Sequence, residues 1–125
     1  MILLLDAHAL LWWLADHPEL ADPARRSIND IANDVVVSAG TVWEIEIKRH
    51  LGKLESPPGL VEALEAIGIS TLPITAADAE RAAQLAPHHR DPFDRMLIAQ
   101  AVRLDATIVT RDRAFVLYDA AILPA

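Results

Sequence analysis

Cysteine is absent from this 125-residue chain, so neither disulfides nor thiolate metal sites can hold it together, and a cytoplasmic protein is expected. No apolar run approaches the roughly 18 residues that a membrane span needs, so no membrane partner is expected. The opening "MILLLDAHALLWWLA" is apolar and contains an Ala-x-Ala, but no Lys or Arg precedes it and Asp6 interrupts it, so a signal peptide is not expected either. There is no low-complexity tract, no internal repeat and no hairpin signal. An excess of basic residues is also missing: 11 Lys and Arg stand against 18 Asp and Glu, a net charge of -7. A protein that grips phosphates normally shows a basic face. Either nucleic acid is not the ligand, or some of the acids are gathered where cations neutralise them.

What is present is one domain, residues 1–125, with 53% hydrophobic residues and enough length to bury a core. Residues 2–5, "ILLL", form a short apolar run of the kind buried on both faces of a parallel sheet. "HALLWWLA" follows as a short helix. Asp22 and Pro23 suggest an N-cap and a first helical position, opening a helix to about Asn33 with Ala24, Ile28, Ile31 and Ala32 inward. "VVVS", 35–38, is a β-branched strand, and a helix from Ala39 to about Leu51 closes at Gly52. A helix over Leu60–Ile67, a short strand in "ISTLPI", a capping box of Thr75 and Asp78, a helix "FDRMLIAQAVRL", a strand "TIVT" and a last strand "AAIL" complete the chain. Strands alternating with helices predict an α/β sandwich around a mainly parallel sheet.

In such sheets ligands bind beyond the carboxyl ends of the strands, so acids there matter. Asp6 ends the first strand, Asp112 lies just past "TIVT", Glu44 sits early in the helix after "VVVS", and Asp94 sits in the first turn of "FDRMLIAQA". Each has a plainer role: Asp6 as a helix cap, Asp112 as a turn residue tied to Arg111 and Arg113, and Asp94 as the third helical residue of a capping box opened by Asp91. Helical periodicity does not choose between Glu44 and Glu46. As a set the four acids are costly. Two carboxylates ~4 Å apart repel by roughly 4 kcal/mol at an effective dielectric near 20. A cluster of four implies a hard, oxygen-liganded cation, Mg2+ or Mn2+.

"LLLDAHALLWWL", "VVVSAGTVWEIEIK", "HHRDPFDRMLIAQA" and "IVTRDRAF", in that order, together resemble a PIN domain of the VapC toxin type across essentially the whole chain. The resemblance implies a PIN-like three-layer sandwich and selects Glu44 over Glu46. It maps the family's metal-binding and catalytic acids onto Asp6, Glu44, Asp94 and Asp112, with Thr110 and Ser38 as supporting hydroxyls. It further implies a Mg2+-dependent endoribonuclease acting on RNA, with Mn2+ as substitute. Such a protein is the toxin of a toxin–antitoxin pair, a homodimer restrained by an antitoxin of VapB type. Asp91 is expected as a cap or a more distant support of the metal. Arg111 or Arg113 would steer phosphate. The loop of His88, His89 and Arg90 either touches RNA, His89 foremost, or simply solvates. Trp12 and Trp13 cannot both point inward on a short helix, so one is expected to be exposed or covered by a partner.

Competing classes are weaker. A receiver-type signalling module would need an adjacent acidic pair after the first strand and a lysine ending a late one. An Asp-x-Asp phosphatase would need an acid where His8 stands. A PIN fold used only for binding is opposed only by the retained acids.

Overall fold

The structure, a computed structural model, describes residues 1–125. Its strands are β1 (Ile2–Leu5), β2 (Asp34–Ser38), β3 (Ser70–Leu72), β4 (Thr107–Thr110) and β5 (Ala121–Pro124). The helices are α1 (Ala7–Leu14), α2 (Asp22–Asn29), α3 (Ala39–His50), α4 (Leu60–Ala66), α5 (Ala76–Gln84) and α6 (Pro92–Leu104), with a 3-10 turn at Arg113–Leu117. The strands form one sheet in the order β3-β2-β1-β4-β5, and every neighbouring pair is parallel.

β1 lies at the centre, with no exposed surface on Leu3, Leu4 or Leu5. Successive side chains point to opposite faces, so the run feeds two cores. Leu3 and Leu5, with Val37 and Val109, meet Ala9, Leu10, Ala24, Ile45 and Leu64 from α1 to α4. Leu4 and Ile108 meet Leu97, Ile98, Ala101 and Phe115 from α6 and the 3-10 turn. The chain moves outward from β1 through β2 to β3, then crosses back to place β4 on the other side of β1. That reversal opens a crevice at the carboxyl ends of β1 and β4.

Two local expectations are corrected. Ala21, not Asp22, holds the N-cap position of α2, and the helix stops at Asn29. Asp30 diverts the chain: its carboxylate accepts the N–H of Ala32 at 2.9 Å and its carbonyl that of Asn33 at 3.0 Å, leaving Ile31 fully exposed. Trp12 and Trp13 are both half-buried, and other parts of this chain cover them. Trp13 donates from its indole to Asn29 at 2.9 Å, while Trp12 stacks between His8 and His17.

The Thr75 and Asp78 capping box is present, each side chain accepting the other's main-chain N–H at 3.1 Å. Asp78 also binds Arg103 of α6 at 2.6 and 3.0 Å, and its side chain is 1% exposed. The Arg103 guanidinium holds the Asp78 carboxyl down at about 2. An acid held below its unfolded value of 3.8 stabilises the fold above that pH, and the contribution is lost as pH falls from about 4 through 2. Asp78→Ala removes the α5 cap and leaves the exposed Arg103 without its partner, so urea unfolding at pH 7 should show a loss of about 1–3 kcal/mol. The deficit should shrink toward pH 2, and a loss independent of pH would refute this account of the pair.

Candidate active site

Asp6 continues the β1 ladder through its N–H to Val109 O at 3.1 Å and then caps α1. Its Oδ1 accepts the Ala9 N–H at 2.8 Å, and its Oδ2 accepts the Thr110 hydroxyl at 2.6 Å. Burial pushes its carboxyl above the usual range, helped by the charge of Glu44 and opposed by those two hydrogen bonds. Capping and site formation are therefore the same geometry here.

Ser38 is fully buried and caps α3, its Oγ accepting the Gly40 N–H at 3.0 Å. Glu44 is buried on the face of α3 toward the crevice, and Lys48 donates to it at 2.7 Å. Glu46 faces elsewhere, beside Trp43, Ile47, His50 and Leu51, and pairs with Arg49 at 2.7 Å.

Asp91 caps α6, accepting the N–H groups of Phe93 at 2.8 Å and Asp94 at 3.2 Å. The expected reciprocal box does not form. Instead of returning to the cap, the Asp94 carboxylate meets His89 Nε2 at 3.0 Å. Burial, then the charge of Asp91, with Glu44 and Asp6 adding, push the Asp94 carboxyl up to about 7 against the pull of His89. Asp112 caps the 3-10 turn through the Ala114 N–H at 2.9 Å and meets His89 Nε2 at 2.8 Å. Burial alone would raise its carboxyl, but the Ala114 and His89 hydrogen bonds outweigh it and hold it below the ordinary value.

These elements enclose a cavity of about 170 Å³ lined by Asp6, Ala7, His8, Glu44, Lys48, Asp91, Asp94, Arg111 and Asp112. The structure thus brings the four acids and Asp91 together, with Thr110 joined through Asp6 and Ser38 set behind as the cap of α3. His89 is not a free loop residue facing outward: it bridges Asp94 and Asp112. Arg113 is exposed and is not among the cavity residues. Arg111 lines the cavity, yet its guanidinium pairs with Glu19 and the main-chain oxygen of Ala125 and lies 4.4 Å over the Trp12 ring, so neither arginine clamps Asp112. Lys48 was not anticipated. Its spacing of four residues after Glu44 on one helix was the available signal. Tyr118, whose hydroxyl accepts the His89 N–H at 2.8 Å, left no signal in the sequence.

The donor set fits a hard divalent cation. All four acids present carboxylate oxygens from separate elements, and two of them are pushed toward the protonated form by burial and by one another. A cation relieves both causes.

The PIN domain family model matches residues 3–121. Ribonuclease VapC22 of Mycobacterium tuberculosis is 30% identical over 117 residues, covering 88% of this chain and 86% of that protein. VapBC2 from Rickettsia felis, solved bound to a DNA fragment from their promoter, shares the fold with a TM-score of 0.71 at 17% identity, covering 99% of this chain and 98% of that one. FitAcB from Neisseria gonorrhoeae gives 0.67 at 25% identity, over 99% and 97% of the two chains. The chain belongs to the PIN-domain family. Within that family it is of the VapC type.

Asp94 generates a pH test. With its carboxyl raised to about 7 from 3.8, the folded protein keeps a proton that the unfolded chain releases, so this group costs stability as pH rises from about 4 to 7. In EDTA, Asp94→Asn should raise Tm at pH 8 by roughly 5 °C, and the gain should vanish near pH 4. Equal melting of the two proteins at pH 8 would refute the buried-charge account.

Proposed function

We propose that the protein is a divalent-metal-dependent endoribonuclease and the toxin of a toxin–antitoxin pair. The observation that carries the reading is the convergence of Asp6, Glu44, Asp94 and Asp112 on one cavity at the point where the sheet reverses its order. The family match and the likeness to Ribonuclease VapC22 support the same reading. Asp6, Glu44, Asp94 and Asp112 would hold Mg2+, with Mn2+ as a substitute. Bound there, the ion supplies Lewis acidity toward a phosphate and lowers the pKa of a water.

The chain's own groups do the rest. Thr110 orients Asp6 by donating to Oδ2, so the carboxylate presents its remaining lone pairs to the cavity. Asp91 fixes the first turn of α6 and with it the position of Asp94. Ser38 fixes the first turn of α3 and the rotation that turns Glu44 inward. Lys48 neutralises Glu44 and offers its ammonium to an arriving phosphate. Arg111 adds cationic character to the rim of a chain that is otherwise acidic.

An antitoxin of VapB type is the partner we assign, since VapBC2 is a related assembly. An apolar groove of about 410 Å³ between α1 and α4, lined by Leu11, Leu14, Pro57, Pro58, Leu60 and Ala63, suits an apolar segment of such a partner. A second copy of the chain is the partner we assign to the exposed Trp43 and Leu51.

The test is cleavage of end-labelled single-stranded RNA by antitoxin-free protein in Mg2+, Mn2+ or EDTA. Cutting should require metal, and Asp6→Asn should lower the rate by at least about 100-fold while the fold is kept, a loss of ~3 kcal/mol in barrier stabilisation. Cleavage that persists in EDTA, or in Asp6→Asn, would overturn the proposal. Folded protein that cuts no RNA in either metal would do the same.

A further inference from the structure

The group His89, Asp94 and Asp112 has the composition of a transition-metal site, with its ligand atoms within 4.8 Å of one another. The hydrogen bonding contradicts that use of the histidine. His89 Nδ1 accepts the main-chain N–H of Asp91 at 3.2 Å. A ring nitrogen that accepts carries no proton, so in the neutral ring the proton is on Nε2. A histidine that ligates through Nε2 needs that nitrogen bare and Nδ1–H donating to a carbonyl or carboxylate. Here Nδ1 faces an N–H, which cannot accept.

We infer that His89 is a positioning residue whose Nε2–H binds Asp94 and Asp112 together and sets them for the cation, without itself touching it. The inference rests on the reading of those two acids as metal ligands. Nε2 lies 2.8 Å from Asp112 Oδ2 and 3.0 Å from Asp94 Oδ2. One donor is thus shared by two like charges that come from different elements, the first turn of α6 and the cap of the 3-10 turn. Without it they repel and drift apart.

The ring is anchored more firmly than a solvated loop residue requires. Its main-chain N–H donates to Tyr118 Oη at 2.8 Å, and its carbonyl accepts from Arg95 Nη1 at 3.0 Å. The ring meets Phe115 edge-on, with centroids 5.6 Å apart. Tyr118 donates onward to Ala86 O at 2.6 Å, and Arg95 also bonds the carbonyls of Ala82, Ala83, Leu85 and Ala86. The loop before α6 is therefore fastened at both ends of the histidine. One chemical consequence is that this side of the centre, Asp94 and Asp112, offers oxygen donors alone, which favours Mg2+ and Mn2+ over Zn2+.

Two measurements test this. Long-range proton–nitrogen NMR of the metal-free protein should give His89 the Nε2–H pattern, unchanged when Mg2+ is added. An Nδ1–H pattern in either state would overturn the inference. Mn2+ titration followed by electron paramagnetic resonance should show about 10-fold weaker binding in His89→Ala. In His89→Gln, which returns an N–H near Nε2, binding should recover to within roughly 3-fold of the wild type. Wild-type affinity in His89→Ala, or no recovery in a folded His89→Gln, would overturn it. Neither readout needs cleavage, so a protein with this histidine pattern that cuts no RNA would sink the nuclease reading and leave the positioning role standing.

Discussion

The 2.6 Å hydrogen bond from Thr110 Oγ1 to Asp6 Oδ2 joins the ends of the two strands between which the sheet reverses its order. It spans 104 positions in the chain and sits where an ionised group has almost no solvent. A carboxylate so placed must be satisfied by the protein, and what surrounds it follows from that demand. The Ala9 N–H takes one oxygen, which makes α1 begin at residue 7. The hydroxyl takes the other, which fixes how far β4 runs beside β1. Thr110 Oγ1 in turn accepts the Asp112 N–H at 3.1 Å, so the turn that carries the fourth acid is set by the same atom.

The remaining acids are each given a resident donor. Lys48 serves Glu44, the first-turn amides of α6 serve Asp91, and one imidazole serves both Asp94 and Asp112. This tempers the repulsion without removing it, since Asp94 still rises to about 7. The acidic balance of the sequence thus acquires a location. Part of the excess negative charge is concentrated in a cavity of about 170 Å³ rather than spread over a solvated surface.

Most of the sheet could be read from composition alone, because "ILLL", "VVVS" and "TIVT" are short, apolar and β-rich, and each was found as a strand. Helix starts marked by side-chain caps were equally plain at Thr75 and Asp91, whereas the capping role of Ser38 was not read. The end of α2 was not, because Ile31 continues the helical period and only the Asp30 turn, a local competition for backbone N–H groups, overrides it. Glu44 and Glu46 are both near apolar helix positions, and what separates them is the packing of α3 against its neighbours. His89 was hardest to read. A histidine in a polar loop gives no sign that Tyr118, 29 positions later, and Arg95 will fasten it inward.

The parallel topology also bears on synthesis. Every strand pair needs a crossover, and the central β1 waits for β4, whose first partner residue is Thr107 opposite Leu3. Ribosomal synthesis proceeds from the N-terminus, so β1, β2 and α3 emerge first, carrying Asp6 and Glu44 with one edge of β1 unpaired. The cavity cannot close around its acids until Asp94, Thr110 and Asp112 have been added. Nascent chains shorter than about nine-tenths of the length therefore lack Asp112, and those shorter than about three-quarters lack Asp94 as well, so the acid cluster is assembled late in synthesis.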